Sequence, residues 1–478
     1  MRLWETVLCA LLSTLISLIF GGLYTIGLFR RKRPKEPPLD KGLIPWVGHG
    51  LSLSKQPFSF LEQMRKKHGD IFTLLIGGQY IHILMDPHMY RFISKESKSK
   101  LDFGVFASNV VAKVFNFQPS TTHHKIGEIG SRKYLQGKSL LALNQILMQN
   151  LKEILLDSAG EKDWCQDGLW SFSYKTIFLA SFLSLFGNTK DRRGKPYQKL
   201  FEDFQQFDKF FPQMITNNID SKAREEIQKL KNYFWDLLSV EKIDKREDIS
   251  FWLVDQDRQL ADAGMNEKMR TQVQLLYLWA SQANTGPMTF WLLAYLLKHP
   301  EAMKAIRAEV EQVLKETGQE KNPMNLSLQA IKTPLLDSAV EEVLRLKAGS
   351  FVFRTVMEDF SLQMDNGKEY DLRKGDHLLL FPFLGLHMDP EIYPEPQIFK
   401  YDRFLSLEGK RKEFFKNGKK LKTCIMPFGG GMFMCPGRFF AISEMKIFAI
   451  LMLTHFDMEL SFVITITKCI SDVNHLTL

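Results

Sequence analysis

Residues 426–453 read MPFGGGMFMCPGRFFAISEMKIFAILML: three consecutive glycines, a cysteine, a proline and a glycine, then a long apolar run. Few folds use such a segment. Glycines let a backbone approach a flat surface that side chains would hold away. Pro436 and Gly437 open an apolar helix, whose N-terminal N–H groups and dipole suit a negative charge on the sulfur of Cys435. The plain alternative is an inert core cysteine, because free cysteine is among the most buried residue types.

The other cysteines narrow the environment. Cys9, Cys165, Cys424, Cys435 and Cys469 form an odd, scattered set without a CxxC pair, which argues against a disulfide framework and against a four-ligand zinc site. A reducing, cytosol-facing setting is the simpler inference. At 478 residues, with 45% hydrophobic and 24% charged content, the chain has the composition of a globular protein with a large apolar interior, so extended disorder is excluded. Its formal charge of +9 suits nucleic acid, a membrane surface or an acidic protein alike.

The N-terminal segment bears on that choice. From Thr6 to Phe29 no residue is charged, and a helix of roughly 24 residues at about 1.5 Å each spans a bilayer core. Arg30, Arg31, Lys32 and Arg33 follow, which by the positive-inside rule places the body of the protein on the cytoplasmic side. A cleaved signal peptide is the competing reading, but its apolar run would be shorter and its basic residues would come first.

These signals divide the chain into an anchor with its basic stop (1–33), a proline-rich linker (34–48) and one catalytic body (49–478). Pro34, Pro37, Pro38 and Pro45 stiffen the linker. Ile71–Met85, IFTLLIGGQYIHILM, has the pattern of a β-hairpin, and from about Ser139 to Lys315 long amphipathic stretches predict helix. Asp365-Asn366-Gly367 marks a turn, and Phe440–Phe456 reads as one more buried helix. The fold class expected is mainly α with small β-sheets.

The cysteine loop resembles the haem-binding signature of the cytochrome P450 superfamily, F-x-x-G-x-R-x-C-x-G, with Phe428, Gly431, Cys435 and Gly437 in place and Phe433 where the arginine stands. The resemblance implies the cytochrome P450 fold, haem b as cofactor and Cys435 as the iron's thiolate ligand, which pushes electron density toward dioxygen and favours O–O cleavage. The missing arginine normally pairs with a haem propionate. Arg354, in the extended run SFVFRTV, stands where the superfamily places a propionate-binding residue; the helical W-x-x-x-R site is not recognisable in HHKIGEIGSRKYLQG, where Lys133 is a weak substitute.

Two further constellations gain meaning from that resemblance. Glu342 and Arg345 in DSAVEEVLRL share a helix face and, alone, read as a surface ion pair of a few tenths of a kcal/mol. With Arg403 in FKYDRFL they are similar to the superfamily's buried Glu-Arg-Arg clamp. In LLYLWASQANTGPMTFW, Pro287 deprives the carbonyl of Ala283 of its helical partner, so the helix should open there. A kinked core helix is the bland reading; by resemblance this is the oxygen groove, with Thr285 as the proton-delivering threonine and Asn284 in place of an acid.

The strings SKLDFG, LWASQANTGP, YLLKHPEAM and HMDPEIYPEPQIFKYDRFL place the resemblance in the branch that holds bile-acid sterol hydroxylases and a peroxide isomerase. It implies a monooxygenase that hydroxylates a sterol or bile-acid precursor, at the 12-alpha position, with O2 and electrons from NADPH through NADPH-cytochrome P450 reductase. The implied setting is the endoplasmic reticulum membrane, with a single span, a cytosolic catalytic domain, membrane lipid around the anchor and no nucleic acid. A hydroxyl at Thr285 favours the hydroxylase over the isomerase, and a silent haem- or lipid-binding relative is the third possibility. Trp279, Ser281 and Phe353 are the expected pocket residues. After Leu460 only SFVITITKCISDVNHLTL remains, shorter than the tail of relatives, so substrate capture is expected to suffer.

Overall fold

The computed structural model describes residues 3–25, 30, 32–44, 46–159, 166–188, 195–243, 245–319 and 332–460. Two compact units result. One comprises residues 1–106, 350–396 and 414–433, the other 107–349, 397–413 and 434–478. Because the chain passes repeatedly from one unit to the other, no shift in composition along the sequence marks the division.

The first unit begins with α1 (Leu3–Thr25), whose apolar stretch Thr6–Tyr24 has no buried residue. Nineteen residues make a helix of about 28 Å, close to the thickness of a bilayer core. The rest of the unit is built on a six-stranded sheet in the order β1-β2-β3-β8-β5-β4: β1 (Leu39–Asp40), β2 (Ile71–Ile76), β3 (Gln79–Leu84), β4 (Leu101–Asp102), β5 (Val352–Val356) and β8 (His377–Leu380). The expected hairpin is β2–β3, antiparallel with Ile71 opposite Leu84 and Ile76 opposite Gln79. The turn at Asn366–Gly367 joins β6 (Phe360–Gln363) to β7 (Glu369–Leu372). Phe60, Leu61, Phe72, Leu74, Ile83, Met85 and Phe381 close the core over β2 and β3.

The second unit is helical. It contains α2 (Gly137–Ala159), α3 (Leu169–Phe186), α4 (Lys195–Lys209), α5 (Phe211–Thr216), α6 (Ser221–Leu237), α7 (Glu267–Gln282), α8 (Thr285–Lys298), α9 (Pro334–Lys347) and α10 (Arg438–His455), among others. α3 packs on α2 and α8, and α10 on α2, α8 and α9. α3 is long and apolar enough to cross a membrane, but most of it is buried, so its apolarity serves the core. α8 is apolar around its circumference and buried throughout its first turns for the same reason. Gly286 lets α3 and α8 close up: a Cβ there would lie 2.0 Å from the ring of Tyr174.

Candidate active site

The mid-chain helix is broken where Pro287 requires. α7 ends at Gln282, two residues follow, and α8 begins at Thr285, with the Met288 N–H donating to the Asn284 carbonyl at 3.2 Å. The break turns two neighbouring side chains in different directions. Asn284 is exposed and makes no side-chain cap, whereas Thr285 is buried, with its hydroxyl turned toward the buried Glu444 of α10. Ser181 of α3 lies near the same carboxyl and accepts the Gln282 amide at 3.0 Å. Burial pushes the Glu444 carboxyl up to about 8, against the smaller opposing effect of the nearby Ser181 and Thr285 hydroxyls. An uncharged carboxylic acid therefore sits behind Thr285 at neutral pH. Sequence reasoning missed Glu444; its signal was the one acid in the mainly apolar run FAISEMKIFAILML.

Cys435 lies three residues before the start of α10 and is exposed. The protein packed around its sulfur pushes the thiol pKa up, and the backbone N–H of Gly437, the Arg438 charge and the Arg438 N–H act in the opposite direction. A helix start turns such N–H groups toward an anion, although the Arg438 N–H also donates to the Cys435 carbonyl at 3.5 Å. Upstream, Gly431 has a positive φ of 68° and lies so close to Ser94 that a Cβ would meet the Ser94 carbonyl oxygen at 1.6 Å. Glycine is required there on both counts.

Arg354, on β5, is only 3% exposed. Its guanidinium donates to the carbonyls of Phe353 at 2.8 Å and Gly430 at 3.4 Å, and lies 4.6 Å from the ring centroid of Phe433. Among the described residues no carboxylate pairs with it. Burial lowers its pKa to about 10, opposed by the more distant charge of Asp102. Lys133 is otherwise engaged, with its ammonium 3.1 Å from Asp255.

Glu342, Arg345 and Arg403 come together in the second unit, all buried. Arg345 grips Glu342 with two bonds of 2.7 and 2.8 Å, and Arg403 Nε donates to the same carboxylate at 2.7 Å. Arg403 also donates to the Ile398 carbonyl at 2.6 Å, and the Lys400 N–H reaches Glu342 at 3.2 Å. The cluster thus fixes the loop at 398–403. Two cations on one carboxylate in the interior are held by geometry as much as by charge.

The three expected pocket residues do not share one setting. Trp279 stacks on Phe211 of α5 at 4.0 Å and 7°, and its indole N–H donates to Asp208 of α4 at 2.7 Å. Ser281 bonds the Leu278 carbonyl of its own helix at 3.1 Å. Phe353 belongs to the first unit, where it packs on Phe106 at 4.3 Å. The segment after Leu460 lies outside the described residues.

A sequence profile of the cytochrome P450 family matches residues 37–467. The chain belongs to the cytochrome P450 family. The 7-alpha-hydroxycholest-4-en-3-one 12-alpha-hydroxylase of Homo sapiens is 45% identical to this P450 over 96% of the chain and 93% of its own length. The 5-beta-cholestane-3-alpha,7-alpha-diol 12-alpha-hydroxylase of Sus scrofa is 44% identical over the same shares. Prostacyclin synthase of Rattus norvegicus is 40% identical over 90% of the chain and 88% of its length.

Membership implies haem and electrons delivered by a reductase, and the residues fit such a group. A P450 needs a sulfur that can be reached and can hold negative charge; Cys435 is exposed, and the start of α10 with its Arg438 favours the thiolate. It also needs cations for the haem's carboxylates, and Arg354 is a buried cation with no protein carboxylate paired to it among the described residues.

Proposed function

We propose that this P450 is a membrane-anchored sterol monooxygenase that hydroxylates a bile-acid precursor at the 12-alpha position. Haem b would be held by Cys435 as the thiolate ligand and by Arg354 at a propionate, with Phe428, Gly431 and Gly437 shaping the loop. Bound there, the haem would supply activation of O2 for insertion of one oxygen atom into a C–H bond.

The chain's own residues would then manage protons and position. The observation that carries the hydroxylase reading is the Thr285 hydroxyl, set at a helix break and backed by the neutral acid Glu444. A hydroxyl donates and accepts, so it can pass a proton, and an acid whose pKa lies near 8 is protonated at working pH. Asn284, the exposed neighbour, offers an amide that orients without titrating. The Glu342–Arg345–Arg403 cluster would hold the fold around the cysteine loop.

Electrons would come from NADPH through NADPH-cytochrome P450 reductase. The enzyme would sit in the endoplasmic reticulum membrane by α1, its body in the cytosol, and take its sterol from the lipid. The 45% identity to a sterol 12-alpha-hydroxylase supports that substrate class.

A second reading, isomerisation of a peroxide, draws on the 40% identity to prostacyclin synthase and on the burial of Thr285. The deciding experiment incubates the full chain with reductase, NADPH and 7-alpha-hydroxycholest-4-en-3-one and reads products by mass spectrometry. NADPH-dependent gain of one oxygen at position 12 is expected. A thiolate-type carbon monoxide spectrum with no oxygenated sterol, together with turnover of a prostaglandin endoperoxide without NADPH, would overturn the hydroxylase reading.

A further inference from the structure

Phe433 occupies the position at which the loop signature expects a propionate-binding arginine, and the structure places two cations on its ring. Arg354 Cζ lies 4.6 Å from the ring centroid and Lys98 Nζ lies 5.1 Å from it. The ring is itself held edge-on by Phe103, at 5.6 Å and 61°. Among the described residues neither cation has a carboxylate within ion-pair distance.

Lys98 does not reach the loop from a free tail. The segment that carries it is pinned on both sides. Before it, Ser94 presses against Gly430 and Gly431, leaving no room for a Cβ at either glycine. After it, Leu101 and Asp102 form β4, paired with Val356 and Thr355 of the strand that carries Arg354. Between them the chain turns, with the Leu101 N–H donating to the Ser97 carbonyl at 2.9 Å. The turn therefore delivers an ammonium to the ring two residues before Cys435 in sequence.

Two like charges gathered at one aromatic ring repel each other, and a ring quadrupole offsets only part of that. Such a pair becomes favourable when an anion lies between or beside them. We propose that Lys98 replaces the absent loop arginine, and that Lys98 and Arg354 together neutralise the carboxylates of the haem. Phe433 then keeps the two cations apart and aligned, where an arginine at 433 would have supplied charge directly. The inference rests on the haem that the family implies and is independent of which substrate is oxidised.

The test measures haem retention in the full-length holoprotein, by the rate of haem transfer to excess apomyoglobin at low and high salt. Lys98→Gln should lose haem about two- to fivefold faster at low salt, as expected of a partly exposed charge pair, with the gap closing as salt rises. Lys98→Arg should retain haem at the parent rate, and Lys55→Gln, the same charge change at an exposed site elsewhere, should leave it unchanged. Parent-like retention in Lys98→Gln overturns the proposal, and so does equal loss in Lys55→Gln. Either failure leaves the P450 reading intact, since the thiolate-type spectrum of the reduced carbon monoxide form is read on the same samples.

Discussion

Glu444 on α10 faces the hydroxyl of Thr285 on α8, both residues are buried, and burial holds the carboxyl up to about 8. Its ordinary value is 4.5, so between pH 4.5 and 8 the folded chain keeps a proton that the unfolded chain releases. Stability from this group is therefore greatest below the ordinary value and falls as pH rises toward 8. The parent should lose on the order of a few kcal/mol across that window, and Glu444→Gln, neutral at every pH, should lack that share of the slope. Urea unfolding from pH 5 to 8.5 reads both; equal slopes would mean that Glu444 is ionised.

Thr285 has a sharper chemical consequence. Thr285→Ala removes the hydroxyl that can pass a proton, while Thr285→Ser keeps it. Coupled product formation should fall about a hundredfold or more in the alanine variant, with reduced oxygen species released instead, and the serine variant should stay near the parent. The ratio of hydroxylated sterol to NADPH consumed is the measurement. A well-coupled alanine variant would assign proton delivery to solvent.

Much of this architecture was legible in the chain. The β2–β3 hairpin follows from two β-rich runs around Gly77–Gly78, and the helix break follows from Pro287, because both are local rules of backbone geometry. The Glu342–Arg345 spacing set a shared helix face, but only the fold brings Arg403 to the same carboxylate, from 58 residues beyond Arg345 (403 − 345). What the sequence does not carry is side-chain direction at an irregular point. Asn284 and Thr285 are adjacent in a broken helix, where period alone cannot say which one turns inward. Glu444, Lys98 and Asp208 escaped notice for a related reason: each acquires its role from a partner far along the chain.

The buried Glu342 cluster predicts a large structural penalty. Glu342→Ala leaves two guanidinium groups in the interior without their carboxylate, and should cost about 3–5 kcal/mol in urea unfolding. Arg345→Lys is the informative companion, because an ammonium cannot reproduce the two parallel bonds of 2.7 and 2.8 Å. It should fall between the parent and the alanine variant. Parent-like stability in Glu342→Ala would show that the interior relaxes to admit water around the two arginines.

Asp208 and Trp279 give the last prediction. Burial pushes the Asp208 carboxyl from 3.8 up to about 6, and the indole hydrogen bond, 2.7 Å long, resists that rise by favouring the charged form. A raised folded value makes this group's share of stability fall as pH climbs from 3.8 to about 6. Trp279→Phe keeps a ring to stack on Phe211 but removes the N–H, so desolvation acts unopposed and the window must extend above pH 6. Asp208→Asn removes the titration altogether, and the stability difference between each variant and the parent, followed from pH 4 to 8, isolates it. Because Trp279 is also a proposed pocket residue, sterol affinity read by the haem spectral shift should change over the same pH range in the parent and be flat in Asp208→Asn. A pH-dependent affinity that survives in Asp208→Asn would place the titrating group elsewhere and leave Trp279 oriented by its stacking alone.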